Sequence, residues 1–216
     1  MPCRPIAAIS PARVRLAAVV WCAVWLLTGC STQVSPPSPT STTTATPASS
    51  PPVPAPSSTA PGAYKPADAN GKAQNVPVPV MPELAKENSK AGLEAFIGYY
   101  YAIKNYANET GDTTVLGTLN SSDCASCTKL LDATSDSYRD GRWRAGGNIR
   151  IPVVEIDWKD TDSSHLAKLQ LIQDAIAYYN ADGTEGRPAN SATNSAFVLI
   201  AAFDASWKVV EIGVLR

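Results

Sequence analysis

A long segment of serine, threonine, proline and alanine confines any folded core to the C-terminal part of this chain. Residues 31–63 contain nine prolines, and no charged residue follows position 30 until Lys65. Such a composition buries too little apolar surface to offset the entropy lost on ordering, and dense proline favours extended backbone. We therefore expect residues 30–81 to form a disordered stalk and residues 82–216 to form a single folded domain. Alternating valine and proline at residues 76–82 indicates an extended strap that lies on this domain.

The N-terminus has the parts of an export signal. Arginines at positions 4, 13 and 15 precede an apolar run of twelve residues, 16–27, which is shorter than the roughly 20 residues that cross a bilayer as a helix. The residues Leu27-Thr28-Gly29-Cys30 resemble the lipobox of bacterial lipoproteins. This resemblance implies cleavage before Cys30 and a diacylglyceryl thioether on its sulfur. We predict a signal peptide over residues 1–29 and a mature chain held by the lipid on Cys30 at the extracytoplasmic face of the cell membrane.

The charge of the mature chain argues against nucleic acid as a partner. Removing the signal lowers the formal charge from −1 to −4, because the signal contains three arginines and no acidic residue. Phosphate contacts need a basic surface, which such a chain lacks. One basic cluster occurs in the domain, and we interpret it as solvated charge on a turn and an edge strand: Arg139, Arg142, Arg144 and Arg150.

The domain is expected to begin with two helices. Apolar residues recur at helical spacing over residues 83–108, and Lys104 falls on the same face. A second helix is predicted over residues 123–140, between polar capping residues and Gly141. Four tyrosines of the first helix are suited to a ligand pocket, but core and rim packing is the favoured interpretation: Tyr99, Tyr100, Tyr101 and Tyr106.

Strand patterns fill the rest of the domain. Residues 148–158 alternate on both sides of Pro152, where the change of phase indicates an edge strand or a bulge and places the two halves on opposite faces. Residues 166–179 fit both a helix and a strand, and the neighbouring terminal hairpin favours a strand. Asp182-Gly183 indicates a hairpin turn, with its loop continued through residues 186–190, and residues 197–215 form a terminal hairpin. Two helices followed by antiparallel strands predict an α+β fold.

This order of elements resembles the cone-shaped nuclear transport factor 2-like superfamily. The resemblance rests on Ala-Phe-Ile-Gly-Tyr-Tyr at residues 95–100 and Ser-Trp-Lys-Val-Val-Glu-Ile at residues 206–212. The motifs at 92–96, 105–107, 111–112 and 124–127 resemble more narrowly the actinobacterial lipoproteins that carry domain of unknown function 6318. The resemblance implies N-terminal helices packed on a curved antiparallel sheet with a cavity, and it assigns no activity.

The superfamily includes ketosteroid-isomerase-like enzymes, which need a carboxylate base and an oxyanion donor in an apolar site. Glu155, Asp157 and Asp174 lie in strand-like segments, where unpaired carboxylates are expected to face solvent. His165, the one histidine of the chain, is expected in the turn after Asp162 and has no second histidine for the usual zinc arrangement. We therefore assign no catalytic, cofactor-binding or metal-ligating residue.

Cys124 and Cys127 remain as a pair after Cys3 and Cys22 leave with the signal and Cys30 is acylated. An oxidising location favours a disulfide between them, which would staple the start of the second helix. Two alternatives stay open. A Cys-x-x-Cys at a helix N-terminus has a lowered thiol pKa suited to thiol–disulfide exchange, and zinc would need two further ligands.

These observations predict a lipid-anchored module at the cell envelope that binds a partner without catalysis. Its partner would be an envelope protein or a small apolar ligand. One alternative is a small-molecule-binding or ketosteroid-isomerase-like protein that uses the cavity, and an enzyme of this kind predicts a buried acid there. The other alternative is a thiol–disulfide protein, which requires Cys124 or Cys127 to be exposed.

Overall fold

The computed structural model describes residues 62–215, so the predicted signal peptide, Cys30 and the stalk before residue 62 lie outside the described residues. Two short 3₁₀ helices, Glu83–Lys86 and Arg139–Gly141, flank the α-helical part. Every helix in the described part is too short or too polar to cross a membrane. The regular elements are α1 (Lys90–Thr110), α2 (Thr114–Thr118), α3 (Ala125–Asp136), β1 (Trp143–Gly146), β2 (Ile149–Asp157), β3 (Ser164–Gln173), β4 (Ile176–Tyr179), β5 (Glu185–Asn190), β6 (Thr193–Phe203) and β7 (Trp207–Val214).

The strands form two antiparallel sheets joined at a bend, which confirms the predicted α+β class. The sheet orders are β2-β3-β6-β7 and β1-β4-β5. Backbone pairing continues through the bend, where Gly147 N–H donates to Ala175 O at 2.9 Å and Asp174 N–H donates to Asn148 O at 3.0 Å. Gly146 and Gly147 both have positive φ, 78° and 76°, a backbone region that glycine adopts without strain. Helix α1 contacts β1 and β2, and α3 contacts β7.

Helix α1 provides the largest share of the core. The predicted helix over residues 83–108 is interrupted, because the Ser89 side chain accepts a hydrogen bond from Gly92 N–H and so caps a new helix. The left-handed residue Gly111 ends it. Its buried face contains Leu93, Phe96, Ile97, Tyr100, Ile103 and Ala107. The facing sheet residues include Ala167, Leu169, Leu199, Ala201 and Val209.

Edge strand β2 contains the predicted bulge at Pro152. The pairing register with β3 shifts between Arg150 and Val153. The prediction that the two halves of this segment face opposite sides of the sheet is wrong. The extra residue of the bulge brings the apolar side chains after Pro152 to the same face as those before it. Ile151 before the bulge and Val154 after it both pack on the core, and Val153 is 43% exposed.

Pairing partners decide the segments whose pattern was ambiguous. Residues 166–179 are strands β3 and β4, since β3 pairs with β2 on one side and β6 on the other. Residues 186–190 belong to strand β5 rather than to a loop, and they pair with β4. Every residue of β5 is exposed, so its sequence contains no alternation that would predict a strand.

The segment before α1 lies against the domain. Tyr64 O–H donates to Glu109 at 2.8 Å, and Trp143 Nε1–H donates to the Asp68 carbonyl at 2.9 Å. Met81 packs on the core. Residues 62–81, which composition had placed in the stalk, therefore contribute to the folded structure.

Gly92 lies against the backbone of the segment that precedes α1, and this close approach leaves no room for a side chain. A Cβ at Gly92 would lie inside van der Waals contact of the Glu87 carbonyl oxygen and 3.0 Å from that of Leu84. We expect Gly92→Ala to lower the free energy of unfolding by about 1–3 kcal/mol through overpacking. Gly98 on the same helix has open space around its Cβ position, so Gly98→Ala should raise the free energy by up to about 1 kcal/mol through helix propensity. Urea unfolding of both variants checks this, and equal effects would contradict it.

Candidate functional site

A cavity of about 280 Å³ lies between α1, α3 and the bent sheet. Its lining includes exposed residues, such as Ala133 on α3 and Arg187 on β5, together with buried residues of α1 and β1, so it extends from the surface into the core. A concave site with apolar walls and a few converging polar groups is the usual form of a ligand pocket. The apolar walls are Leu130, Ile149, Leu171, Ile176, Phe197 and Ile212.

Two cationic side chains converge at the polar end of this cavity. Lys104 Nζ donates to Asn108 Oδ1 at 2.7 Å and to Thr134 Oγ1 at 3.0 Å. Arg144 donates from Nε to the Asn108 carbonyl at 2.8 Å and from Nη2 to Asn108 Oδ1. Lys104 is 4% exposed and Arg144 is 7% exposed. Both cationic groups therefore lie in the interior and donate hydrogen bonds to the same amide oxygen, Asn108 Oδ1.

Asn108 is oriented by the backbone around it. Its Nδ2 donates to the Gly147 carbonyl at 3.3 Å, at the bend of the sheet. Its own carbonyl accepts a hydrogen bond of 2.6 Å from Tyr138 O–H, in addition to the bond from Arg144. Because Asn108 Nδ2 donates to the Gly147 carbonyl, its Oδ1 is the side-chain atom that faces Lys104 and Arg144.

The charge at this end has no carboxylate to balance it. None of the described residues that line the cavity is acidic. Burial lowers the pKa of Lys104 to about 7, and the positive charge of Arg144 acts in the same direction. Burial also lowers the pKa of Arg144, but a guanidinium stays charged in proteins. At neutral pH the desolvated site thus contains the charged Arg144 guanidinium and a Lys104 amine that is about half protonated.

The three carboxylates considered from the sequence lie outside the cavity. Glu155 and Asp157 are exposed on β2. Asp174 forms a surface ion pair with Arg150 at 2.8 Å. The structure therefore supplies no carboxylate base from this set to the ketosteroid-isomerase-like alternative.

His165 is a core residue of β3 rather than part of the preceding turn, so the predicted position is wrong. Its ring stacks on Trp158 with centroids 3.8 Å apart and meets the Trp207 ring edge-on at 6.0 Å. It is 4% exposed. Across residues 62–215, no group of histidine, cysteine and acidic side chains is arranged to hold a metal ion.

Cys124 and Cys127 lie at the start of α3, which forms one wall of the cavity. Their sulfur atoms are 2.00 Å apart, which is bonding distance. Cys124 is the N-cap residue, and its Sγ accepts a hydrogen bond from Cys127 N–H at 3.2 Å. Each cysteine is 1% exposed, so neither meets the exposure that the thiol–disulfide alternative requires.

Some residues of the cavity lie where their sequence pattern predicts, and others do not. Tyr100 and Tyr101 are buried, as predicted for core positions, and both also line the cavity. The interpretation of Arg144 as a solvated charge is wrong, because it points into the interior from a strand of four residues that is too short to show a period. Lys104 was detectable, since a lysine on the apolar face of a helix is unusual.

The burial of Lys104 predicts a pH-dependent stability. Its pKa is about 7 in the folded chain and near 10.5 when exposed, so the unfolded chain binds more protons between these values and stability rises with pH across this window. We expect the rise to reach about 1.4 kcal/mol per pH unit at most. Lys104→Met should remove this component, while the exposed-site control Lys129→Met should keep it. Urea unfolding at pH 7, 8 and 9 measures the slope, and a similar slope in both variants would contradict the assignment.

Several solved structures resemble parts of this chain at low sequence identity. The intermembrane space region of the chloroplast protein ARC6 is 12% identical over 60% of this chain and 98% of its own, with a TM-score of 0.46. A protein from Catenulispora acidiphila in complex with S-DNPA is 14% identical over 58% of this chain and 93% of its own, with a TM-score of 0.37. A candidate polyketide cyclase from Pseudomonas putida is 16% identical over 56% and 89%, with a TM-score of 0.31. With TM-scores below 0.5, these likenesses carry no conclusion about activity.

No curated protein matches the chain. A family model does match, over residues 62–212, which is nearly all of the described structure. The chain therefore belongs to the family of unknown function DUF6318.

Proposed function

We propose that this chain is a lipid-anchored protein of the extracytoplasmic membrane face whose nuclear transport factor 2-like domain binds a small molecule in its cavity. The observation that carries the proposal is the cavity of about 280 Å³, with apolar walls around a buried polar end. The domain architecture agrees with the resemblance noted from the sequence, since helices pack on a bent antiparallel sheet around a cavity. Binding without catalysis is the simpler role, because none of the described lining residues offers a carboxylate base.

The cavity limits the size of its ligand. A volume of about 280 Å³ equals the share of roughly nine water molecules in the liquid, at about 30 Å³ each. This space suits a compact ligand of on the order of ten non-hydrogen atoms. An eight-carbon chain with one polar group has this size.

Lipidation at Cys30 predicts a modification that a single substitution removes. The two acyl chains of a diacylglyceryl group give stable attachment, so the intact protein should sediment with membranes. We expect Cys30→Ser to block both lipidation and cleavage, so that the variant takes up no fatty acid and migrates as a longer chain, whereas Cys22→Ala, in the predicted signal peptide, should be lipidated and cleaved. Labelling of expressing cells with a radioactive fatty acid, followed by electrophoresis and immunoblotting, measures both properties. Equal labelling of both variants would contradict lipidation at Cys30.

Ligand entry predicts a different pair of variants. In a chain that begins at residue 31, without the predicted signal peptide and Cys30, octanoate or 1-octanol should give saturable NMR shifts at the methyl groups of Ile149 and Ile176. Ala133→Trp at the exposed end of the cavity should weaken this binding at least tenfold by steric occlusion. Asp132→Trp, exposed on the same helix and outside the cavity lining, should leave it unchanged. If neither compound shifts these signals, the cavity is not a binding site for such ligands.

A further inference from the structure

We propose that the ligand of this cavity is an organic anion, with an apolar body and one carboxylate that lies against Lys104 and Arg144. This inference rests on the proposed function, since it names the chemical class of the molecule that the cavity binds. It follows from the charge, the free donors and the apolar walls of the site.

The first support is the charge of the interior. Lys104 and Arg144 are 4% and 7% exposed, and buried charges in proteins are normally paired. Every ion pair of the described residues joins side chains on the exposed surface, and neither of these cations takes part in one. A third cation, Arg187, lies at the outer part of the cavity with its Cζ 3.6 Å from the centre of the Tyr178 ring. An anion is the partner that this site lacks.

The second support is the set of unused donors. An ammonium has three N–H donors and a guanidinium has five. Lys104 uses two of its three within the domain. Arg144 donates from Nε and Nη2 to Asn108, and the Tyr138 hydroxyl is a further hydrogen-bonding neighbour of its guanidinium, which leaves part of its five donors for a ligand. The shared acceptor, Asn108 Oδ1, holds the two cationic groups side by side. Two adjacent cations with free donors match the two oxygens of a carboxylate, which forms charge-assisted hydrogen bonds with such groups.

The third support is the composition of the rest of the lining. Apolar side chains from α3, β2, β3, β4, β6 and β7 form much of the wall, and the uncharged polar residues Ser137, Gln173 and Asn190 complete it. A fully polar anion would leave these walls without a partner, and a neutral amphiphile would leave both cations unpaired. A carboxylate on an apolar chain satisfies both parts of the cavity.

Anion binding should take up a proton at Lys104. The titratable or charged groups that line the cavity with it are Tyr100 and Tyr101 on α1, Arg144 on β1, Tyr178 on β4 and Arg187 on β5, and the lining residues from α3, β2, β3, β6 and β7 are uncharged. A neighbouring carboxylate favours the charged form of Lys104, whose pKa in the empty cavity is about 7. A carboxylic acid ligand is itself ionised above about pH 5. Affinity for the anion should therefore rise as pH falls from 8.5 to 6.5.

Isothermal titration calorimetry of octanoate and 1-octanol tests this on a chain that begins at residue 31, without the predicted signal peptide and Cys30. At pH 6.5 we expect octanoate to bind at least tenfold more tightly than 1-octanol, which has the same chain length without the charge. At pH 8.5 the affinity for octanoate should fall about tenfold, while that for 1-octanol stays constant. At pH 6.5, Lys104→Met should lower the preference for octanoate about tenfold and remove its pH dependence, because Arg144 alone then faces the carboxylate. Lys104→Arg should keep the preference and lose the pH dependence, and Lys129→Met should behave as the parent chain.

The outcomes separate this inference from the proposed function. Equal affinity for octanoate and 1-octanol would overturn the anionic ligand and leave binding in the cavity intact. An octanoate affinity that keeps its full pH dependence in Lys104→Met would also overturn it, provided that urea unfolding shows the variant to be folded. If Lys104→Met does not fold, loss of the preference for octanoate in Lys104→Arg overturns it. Absence of binding by both compounds would overturn the proposed function and this inference together.

Discussion

The hydrogen bonds of Asn108 join the parts of the domain that surround its cavity. This single residue of α1 contacts the bend of the sheet through Gly147, the segment after α3 through Tyr138, and strand β1 through Arg144. Its side-chain oxygen also accepts the bond from Lys104. A buried polar network of this kind is stabilising only when its members are satisfied. The position of α1 relative to the sheet and the position of both cations thus depend on the same residue.

The cavity lies at the bend of the sheet, where residues of α1, α3 and both sheets line it. Positive φ at Gly146 and Gly147 turns the β1–β2 segment, and the paired β3–β4 segment turns with it through backbone hydrogen bonds. Helix α1 packs on the inner face, and α3 covers the remaining side from a start at Cys124. The side chains of the two helices and the bent sheet leave a space of about 280 Å³ between them.

The polar end of the cavity is unfavourable for an empty protein. Desolvated charges without a partner destabilise a folded chain, and an apolar residue at position 104 would avoid this. Residues that break the local rules of stable folding are expected at functional sites. The proposed anionic ligand therefore accounts for the lysine and arginine, which stability alone does not favour. The surface ion pairs, such as Arg150 with Asp174, contribute little by comparison because they are solvated.

The sequence by itself determined the features that depend on local chemistry. The apolar face of α1, the bulge at Pro152, the hairpin turn at Gly183 and the α+β class all follow from periodicity and turn residues. Tertiary structure decided the features that depend on remote partners. Strand β5 forms because β4 is available to pair with it, and Arg144 is buried because Asn108, 36 residues away, accepts its hydrogen bonds. A side chain's burial and charge partners arise from contacts between distant segments, and local patterns contain no information about them.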